Sequence, residues 1–300
     1  MTNSNGNSPA WLSDLPSDFW RGGQWPCIQQ NLGEWRGAFV QFSATAERQT
    51  VTPSRLTLTE DRPTEHMTLV LERTPPGQAT QTTVRELAYP GAAPYICFFP
   101  TGAFSQGAQQ RRPWSSFGAE FCLLSGQRRL RLVQLYTGDA AGRHRLDYVT
   151  LIHEERSPAA APVIPEERLG VESLVGTWQG HGLLLPATME APQVVPSCCQ
   201  IRLQNGRLEQ RQPDRGAVSR YVSSADGYRW QAESHSQQLW LLPQATCTAY
   251  PQLEKEETVC LELCWYLSSS QRQRLVRTYG KDGGWQTVAL FTESRIRSHF

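Results

Sequence analysis

Short runs in which apolar and polar positions alternate follow one another along the first half of the chain. SRLTLTED, HMTLVLER, TTVREL, YICFFP, EFCLLS, RLRLVQLY and YVTLIHEE fall between Ser54 and Glu155. A period of two predicts strands that bury one face, and Gly, Pro, Asn or Asp often stand between the runs. The second half continues with CCQIRLQNGRLEQR, in which Asn205-Gly206 predicts a two-residue hairpin turn. No window carries the apolar stripe of a long helix. Seven or more strands per unit at this spacing predict a sandwich or an up-and-down barrel, and the barrel is favoured because closure removes exposed edges.

The pattern occurs twice. LGEWRG (Leu32 to Gly37) returns as VGTWQG (Val175 to Gly180), which sets Trp178 143 residues after Trp35. YICFFP ends at Pro100 and QLWLLP at Pro243, the same offset. RLRLVQLY ends at Tyr136 and RQRLVRTY at Tyr279, again 143 apart, with Arg129/Arg272 and Arg131/Arg274 among the identical positions. YVTLIHEER and TVALFTESR align after a small deletion, pairing Glu154 with Glu293 and Arg156 with Arg295. A spacing kept across separate segments indicates duplication, and two copies argue for twin domains rather than a solenoid. The expected organisation is an N-terminal extension over 1–30, a first barrel over 31–156, a Pro/Ala-rich linker over 157–173 and a second barrel over 174–300.

Composition then narrows the function classes. Lys plus Arg is 29 against 28 for Asp plus Glu, a net charge of +1, so electrostatics gives no reason to expect nucleic acid or an anionic membrane as partner. With 39% hydrophobic and 19% charged residues the chain is expected to be globular. No apolar run approaches the roughly 20 residues that span a bilayer. MTNSNGNSPAWLSD has neither the basic region nor the apolar core of a signal peptide, so a soluble, cytoplasmic protein is expected. Eight cysteines are scattered through strand-like stretches, where free Cys acts as a small buried hydrophobe. Without C-x2-C knuckles no metal site is expected. Cys198 and Cys199, with only Arg202 nearby in sequence, read as structural.

G-x-W at the start of the first strand, with an arginine ending the last, resembles the calycin superfamily of lipocalin-like barrels. Gly33 and Trp35 with Arg156, and Gly176 and Trp178 with Arg295, carry the pattern twice. The resemblance implies that each tryptophan plugs one end of a barrel and that the final arginine packs over its ring. Guanidinium on indole adds roughly 0.5–2 kcal/mol. The whole chain looks like a cyanobacterial and plastid family of tandem calycin barrels without an assigned activity, through NLGEWRGAFVQFS (Asn31 to Ser43) and SSFGAEFCL (Ser115 to Leu123). Its relatives by fold are the S-type biliprotein lyases, which bind a linear tetrapyrrole in such a barrel. No residue here matches their chromophore site, so that link is one of fold alone.

A polar row recurs in both units. A Ser125-Gly126 turn would pair Glu120 with Arg131 and Cys122 with Arg129. A loop over Leu267 to Ser269 would likewise pair Glu262 with Arg274 and Cys264 with Arg272. One reading is an outward cross-strand ion pair, since the other face carries Phe121, Leu123, Leu130 and Leu132 and resembles a core. The other places Arg129, Arg131, Arg272 and Arg274 inside the barrels, where a planar fork can grip a ligand carboxylate.

Other chemistry is sparse. His66, His144, His153, His181, His235 and His299 are dispersed, and no nucleophile elbow, P-loop or dinucleotide fingerprint occurs, so no catalytic residue is expected. Arg111-Arg112-Pro113-Trp114 lies in the loop Thr101 to Ser116. The equivalent loop, Ala245 to Thr258, carries Glu254, Glu256 and Glu257. Solvated surface charge is the first reading of these loops, with a contact between barrels or between chains as the alternative that their opposite sign suggests. Three functions are expected in order: non-catalytic binding of a hydrophobic or amphipathic acid such as a linear tetrapyrrole or lipid; a bilin lyase or isomerase acting on antenna proteins; and a scaffold with filled barrels and a protein partner.

Overall fold

The computed structural model describes residue 15 and residues 19–61, 66–88, 95–213 and 216–296. The first half contributes β1 (Gly33–Ser43), β2 (Arg48–Asp61), β3 (His66–Arg73), β4 (Gln81–Ala88), β5 (Ile96–Phe98), β6 (Phe104–Gly107), β7 (Phe117–Ser125), β8 (Arg128–Gly138) and β9 (His144–Arg156). They form one antiparallel sheet ordered β4-β3-β2-β1-β9-β8-β7-β6-β5, which curls over without pairing β4 to β5. The second half contributes β10 (Gly176–Pro186), β11 (Gln193–Gln204), β12 (Arg207–Gln212), β13 (Ala217–Ser223), β14 (Arg229–Ala232), β15 (Gln238–Leu242), β16 (Ala245–Ala249), β17 (Gln252–Leu253), β18 (Val259–Tyr266), β19 (Gln271–Tyr279) and β20 (Trp285–Ile296). Ten of these, all but β17, close into a barrel. The chain is therefore all-β, with one closed barrel and one curled open sheet. β17 crosses to the other unit and pairs with β9.

The recurring G-x-W-x-G has two geometric causes. Gly33 and Gly176 sit at φ +108° and +140°, where a side chain is strained. At Gly37 and Gly180 the neighbouring strand comes too close for any side chain. A Cβ would lie 1.8 Å from the His153 carbonyl oxygen and 1.9 Å from that of Thr292. These contacts fix the first strand against the last in each unit, so that Trp35 lies opposite Arg156 and Trp178 opposite Arg295.

The hairpins differ from expectation by two residues. Glu120 lies opposite Val133 and Cys122 opposite Arg131, around a Gly126-Gln127 turn with Gly126 at φ +60°. Glycine thus takes the first central position, as a type II′ turn requires. Glu262 lies opposite Val276 and Cys264 opposite Arg274. A slip of two keeps every side chain on its face, whereas a slip of one would have reversed them all. Asn205-Gly206 does form the expected hairpin, with both residues at positive φ.

The reading of the polar row as an outward pair is corrected by the packing. Phe121, Leu123, Leu130 and Leu132 belong to one buried cluster with Leu263, Leu275 and Leu290 of the second unit. The most apolar face of β7 and β8 is thus the face joining the units, and the polar row points into the curled sheet. A single repeat could not reveal this, because the cover for that face is the other repeat. The N-terminal segment packs beside it. Helix α1 (Trp25–Gln29) buries Trp25 and Ile28, the Trp25 indole donates to Glu60, and the Gln24 side chain accepts from Phe98 N at 2.9 Å. The part of the extension holding PAWLSDL falls largely outside the described residues, as does His299.

Gly37→Ala and Gly180→Ala are each expected to cost ~2 kcal/mol or more, because backbone rather than a mobile side chain must give way. Thermal unfolding should show a lowered Tm for both.

Candidate functional site

Inside each unit two arginines share a carboxylate from the last strand. Arg129 lies opposite Glu154 on β9, and its Nε donates to Glu154 Oε2 at 2.7 Å. Arg131 donates from Nε and Nη2 to the two oxygens of Glu154 at 2.9 and 3.0 Å, and from Nη1 to Glu120 at 2.9 Å. In the second unit Arg272 Nε reaches Glu293 Oε2 at 2.5 Å. Arg274 donates to Glu293 at 3.0 Å and grips Glu262 through two bonds of 3.0 and 2.9 Å. All four arginines are buried, as are Glu154 and Glu293, while Glu120 and Glu262 are half-buried. Glu154 and Glu293 stand at matching positions, two residues before the final arginine. That repetition was the available signal for their role, and sequence reasoning aligned them without using it.

These charges hold one another in place. Burial alone would raise the Glu154 carboxyl, but Arg129 and Arg131 beside it bring its pKa down to about 2. Glu293 stands likewise at about 2, with Arg274, Arg272 and the Ser197 hydroxyl outweighing burial. Such a group is stable when complete and costly when broken.

The same arginines reach the tryptophans. The Arg129 and Arg156 guanidiniums lie 4.3 and 4.5 Å from the Trp35 ring centroid. Arg272 and Arg295 each lie 4.5 Å from that of Trp178. Both indoles therefore have two guanidinium neighbours. Their N–H groups donate to Asn31 O and Leu174 O at 2.9 Å, and Arg156 and Arg295 donate to the carbonyls of Gln30 and Ser173. Arg295 passes close over Gly176, where a Cβ would lie 3.2 Å from its Cδ, whereas at Gly33 a Cβ would only touch Arg156, at 3.8 Å.

A cavity of about 290 Å³ lies within the first unit. Leu56, Leu58, Leu69 and Leu71 give it an apolar wall, and Phe98 and Phe104 another. Arg129, Arg131 and Glu120 form its charged floor, where Arg129 Nη2 has no hydrogen-bond partner. Arg73 and Arg85 also line it, and neither forms an ion pair with a described residue. Sequence reasoning missed these two, since each lies alone in an ordinary strand. In the second barrel the corresponding interior holds a buried cluster that includes Trp178, Cys199, Ile201, Tyr221 and Trp230. Burial pushes the thiols of Cys27, Cys122, Cys247 and Cys264 up to about 12, far from the range in which a thiolate forms readily. No group of three or more metal-ligating side chains occurs among the described residues.

Acid should unfold the chain in two stages. His153 faces the seam, where burial lowers its pKa from 6.5 to about 4. The unfolded chain takes up that proton first, so stability falls as pH drops from 6.5 towards 4. Glu154 and Glu293 contribute fully above 4.5, and that stability is lost as pH falls towards 2. Urea midpoints measured against pH should show both stages, and His153→Gln should flatten the first. Glu154→Gln, which leaves two buried arginines short of a counter-ion, is expected to cost about 3–5 kcal/mol near neutrality.

Two family models match the chain. Residues 22–159 match the N-terminal domain of unknown function DUF3598, and residues 165–296 match the C-terminal domain of biogenesis factor required for ATP synthase 1. A crystal structure of a DUF3598 protein from Nostoc punctiforme, described as of unknown function, is 32% identical, with a TM-score of 0.80 over 91% of this chain and 99% of that one. An S-type phycobiliprotein lyase from Guillardia theta is 10% identical over 90% of this chain and 91% of its own, with a TM-score of 0.17. A putative outer membrane protein from Bacteroides fragilis is 10% identical over 90% and 99%, with a TM-score of 0.22. No curated protein matches, and no helix among the described residues is long and apolar enough to cross a membrane. Identity, coverage and shared architecture with the Nostoc protein together show that this chain belongs to the DUF3598 family.

Proposed function

We propose that the first unit binds a small amphipathic acid, without catalysis, in the cavity of its curled sheet. The observation that carries this reading is the cavity's composition: apolar walls of leucine and phenylalanine, with Arg73 and Arg85 left without ion pairs. Of the arginines expected from sequence to anchor a carboxylate, Arg131 and Arg274 are committed to two glutamates each. Arg129 keeps one unpartnered Nη2 facing the same region and serves as a secondary donor. Arg272 keeps one as well, but beside the packed second-barrel cluster. The anchoring charge therefore falls to Arg73 and Arg85.

Size selects among ligands. A volume of about 290 Å³ lies at the low end of the ~300–1,000 Å³ typical of small-molecule sites. This favours a fatty-acid-like guest over a whole linear tetrapyrrole, which would extend out of the cavity. A bilin lyase or isomerase would need such a protruding pigment, and no residue of the site favours that chemistry.

A second reading rests on the family match of residues 165–296: a role in the biogenesis of ATP synthase. Direct binding of purified ATP synthase subunits to the protein would support it, and absence of binding would remove it.

A fluorescent polyene fatty acid should bind saturably to the purified protein. Arg73→Ala/Arg85→Ala should weaken binding tenfold or more, about 1.4 kcal/mol. Leu71→Trp should block binding by filling the cavity while Tm stays close to that of the parent. Absence of saturable binding by both the fatty acid and a linear tetrapyrrole would overturn the proposal.

A further inference from the structure

The seam between the units holds a second recess, of about 230 Å³, with a different lining. Arg111, Arg112 and His144 come to it from the first unit, and Lys255, Glu256 and Lys281 from the second. Arg111 is its innermost cation, only 4% exposed. Its backbone N–H donates to Gly283 O at 2.8 Å, its Nη1 to Glu254 O at 2.8 Å and its Nη2 to Glu257 O at 2.7 Å. The two loops thus meet, against the first reading of their charge as simply solvated, and they do so through backbone carbonyls rather than carboxylates. Arg111 Nε is buried without a partner.

Carbonyl dipoles ease the burial of a cation without neutralising it, and buried charges are ordinarily paired. Among the described residues no carboxylate forms an ion pair with Arg111, and none does with Arg112, Lys255 or Lys281. The acids in the lining are Glu256 and Asp282, and Asp282 Oδ1 accepts from Gly284 N within its own turn. Glu257 acts on Arg111 from beyond pairing distance, with its oxygens engaged by the Ser236 hydroxyl and Glu254 N. Four cations therefore converge against two acids.

The loop that presents Arg112 is held in advance. His144 Nε2 lies 3.1 Å from Arg112 O, and the Ser115 hydroxyl donates to the same oxygen at 3.0 Å. Trp114 adopts φ +65°, a conformation that bulky residues rarely take, and its indole N–H is fixed on Ala140 O at 3.0 Å. Strain kept in a loop beside an uncompensated charge is a mark of a functional position.

We infer that this recess binds a compact, multiply charged oxyanion of the phosphate type, held jointly by both units. Lysine and arginine donors suit such a ligand, and the recess admits a phosphate or pyrophosphate rather than a large organic anion. The recess shares no lining residue with the cavity of the first unit.

Calorimetric and thermal-shift titrations with inorganic pyrophosphate test it, with sodium chloride at matched ionic strength as reference. Saturable heat and a Tm rise beyond that in chloride are expected. Arg112→Gln/Lys281→Gln, which changes two side chains in the lining other than the buried Arg111, should weaken binding tenfold or more. Arg207→Gln on the far strand β12 should leave it unchanged. A response equal to that of chloride, or equal binding by the double variant, would overturn the inference. Co-sedimentation with phosphatidic acid vesicles, lost in the same double variant, would assign the phosphoryl group to a lipid headgroup. Pyrophosphate binding without co-sedimentation would assign it to a soluble anion. Fatty-acid binding by the double variant should match that of the parent, which separates this site from the first.

Discussion

A carboxylate shared by two arginines, buried under a sheet, is the constraint around which each half of this protein is arranged. Glu154 and Glu293 occupy fixed points on the last strand, and the arginines that meet them come from the strand before. One of those arginines, Arg129 or Arg272, also lies against the tryptophan of the first strand. Three consecutive neighbours in the sheet are thereby tied by one network. Such a network penalises any other register, because a displaced strand would leave charge buried without compensation. Stability alone would be served as well by hydrocarbon. Both copies carry the same arrangement, with each shared carboxylate on the last strand and its two arginines on the strand before.

The two copies use this frame differently. In the second, strand β14 lies between β13 and β15, the barrel closes, and rings such as Tyr221 and Trp230 join its core. In the first, the edge strands β4 and β5 do not pair with each other among the described residues, and smaller leucines line a hollow. Duplication allows such a division, since one copy can carry structural duties while the other keeps space for a guest. A frame resting on strands β1, β8 and β9 also explains how the opposite side of the sheet could open without losing the tryptophan end.

Much of this architecture was legible in the sequence. The alternation of apolar positions, the offset of 143 residues, the Asn205-Gly206 turn and the arginines over Trp35 and Trp178 follow from local pattern and repetition. The orientation of the polar row was not, for a physical reason. Strand alternation shows which two sets of side chains separate, but not which set faces the barrel interior when a second sheet waits outside. Phe121 and Leu132 look like barrel lining until Leu275 and Leu290 are known to cover them. The register of the β7–β8 hairpin was ambiguous because Gly126 fits either central position of a tight turn until the flanking pairs decide. Arg73, Arg85 and Arg111 were unreadable as site residues, since which cavity or recess each lines is a property of the assembled structure.

The two-residue strand β17 has a consequence for the connection between the halves. Gln252 and Leu253 belong to the second repeat yet extend the sheet of the first, beside Arg145 and His144. Together with the shared apolar face, this makes the seam an interior surface rather than a contact between independent bodies. The connector between the halves is docked on both, with Ile164 packed against the shared core, Arg168 over the Phe42 ring and Leu169 N donating to Leu242 O. A single repeat on its own would leave that apolar face open to water, so each half depends on the other for its burial.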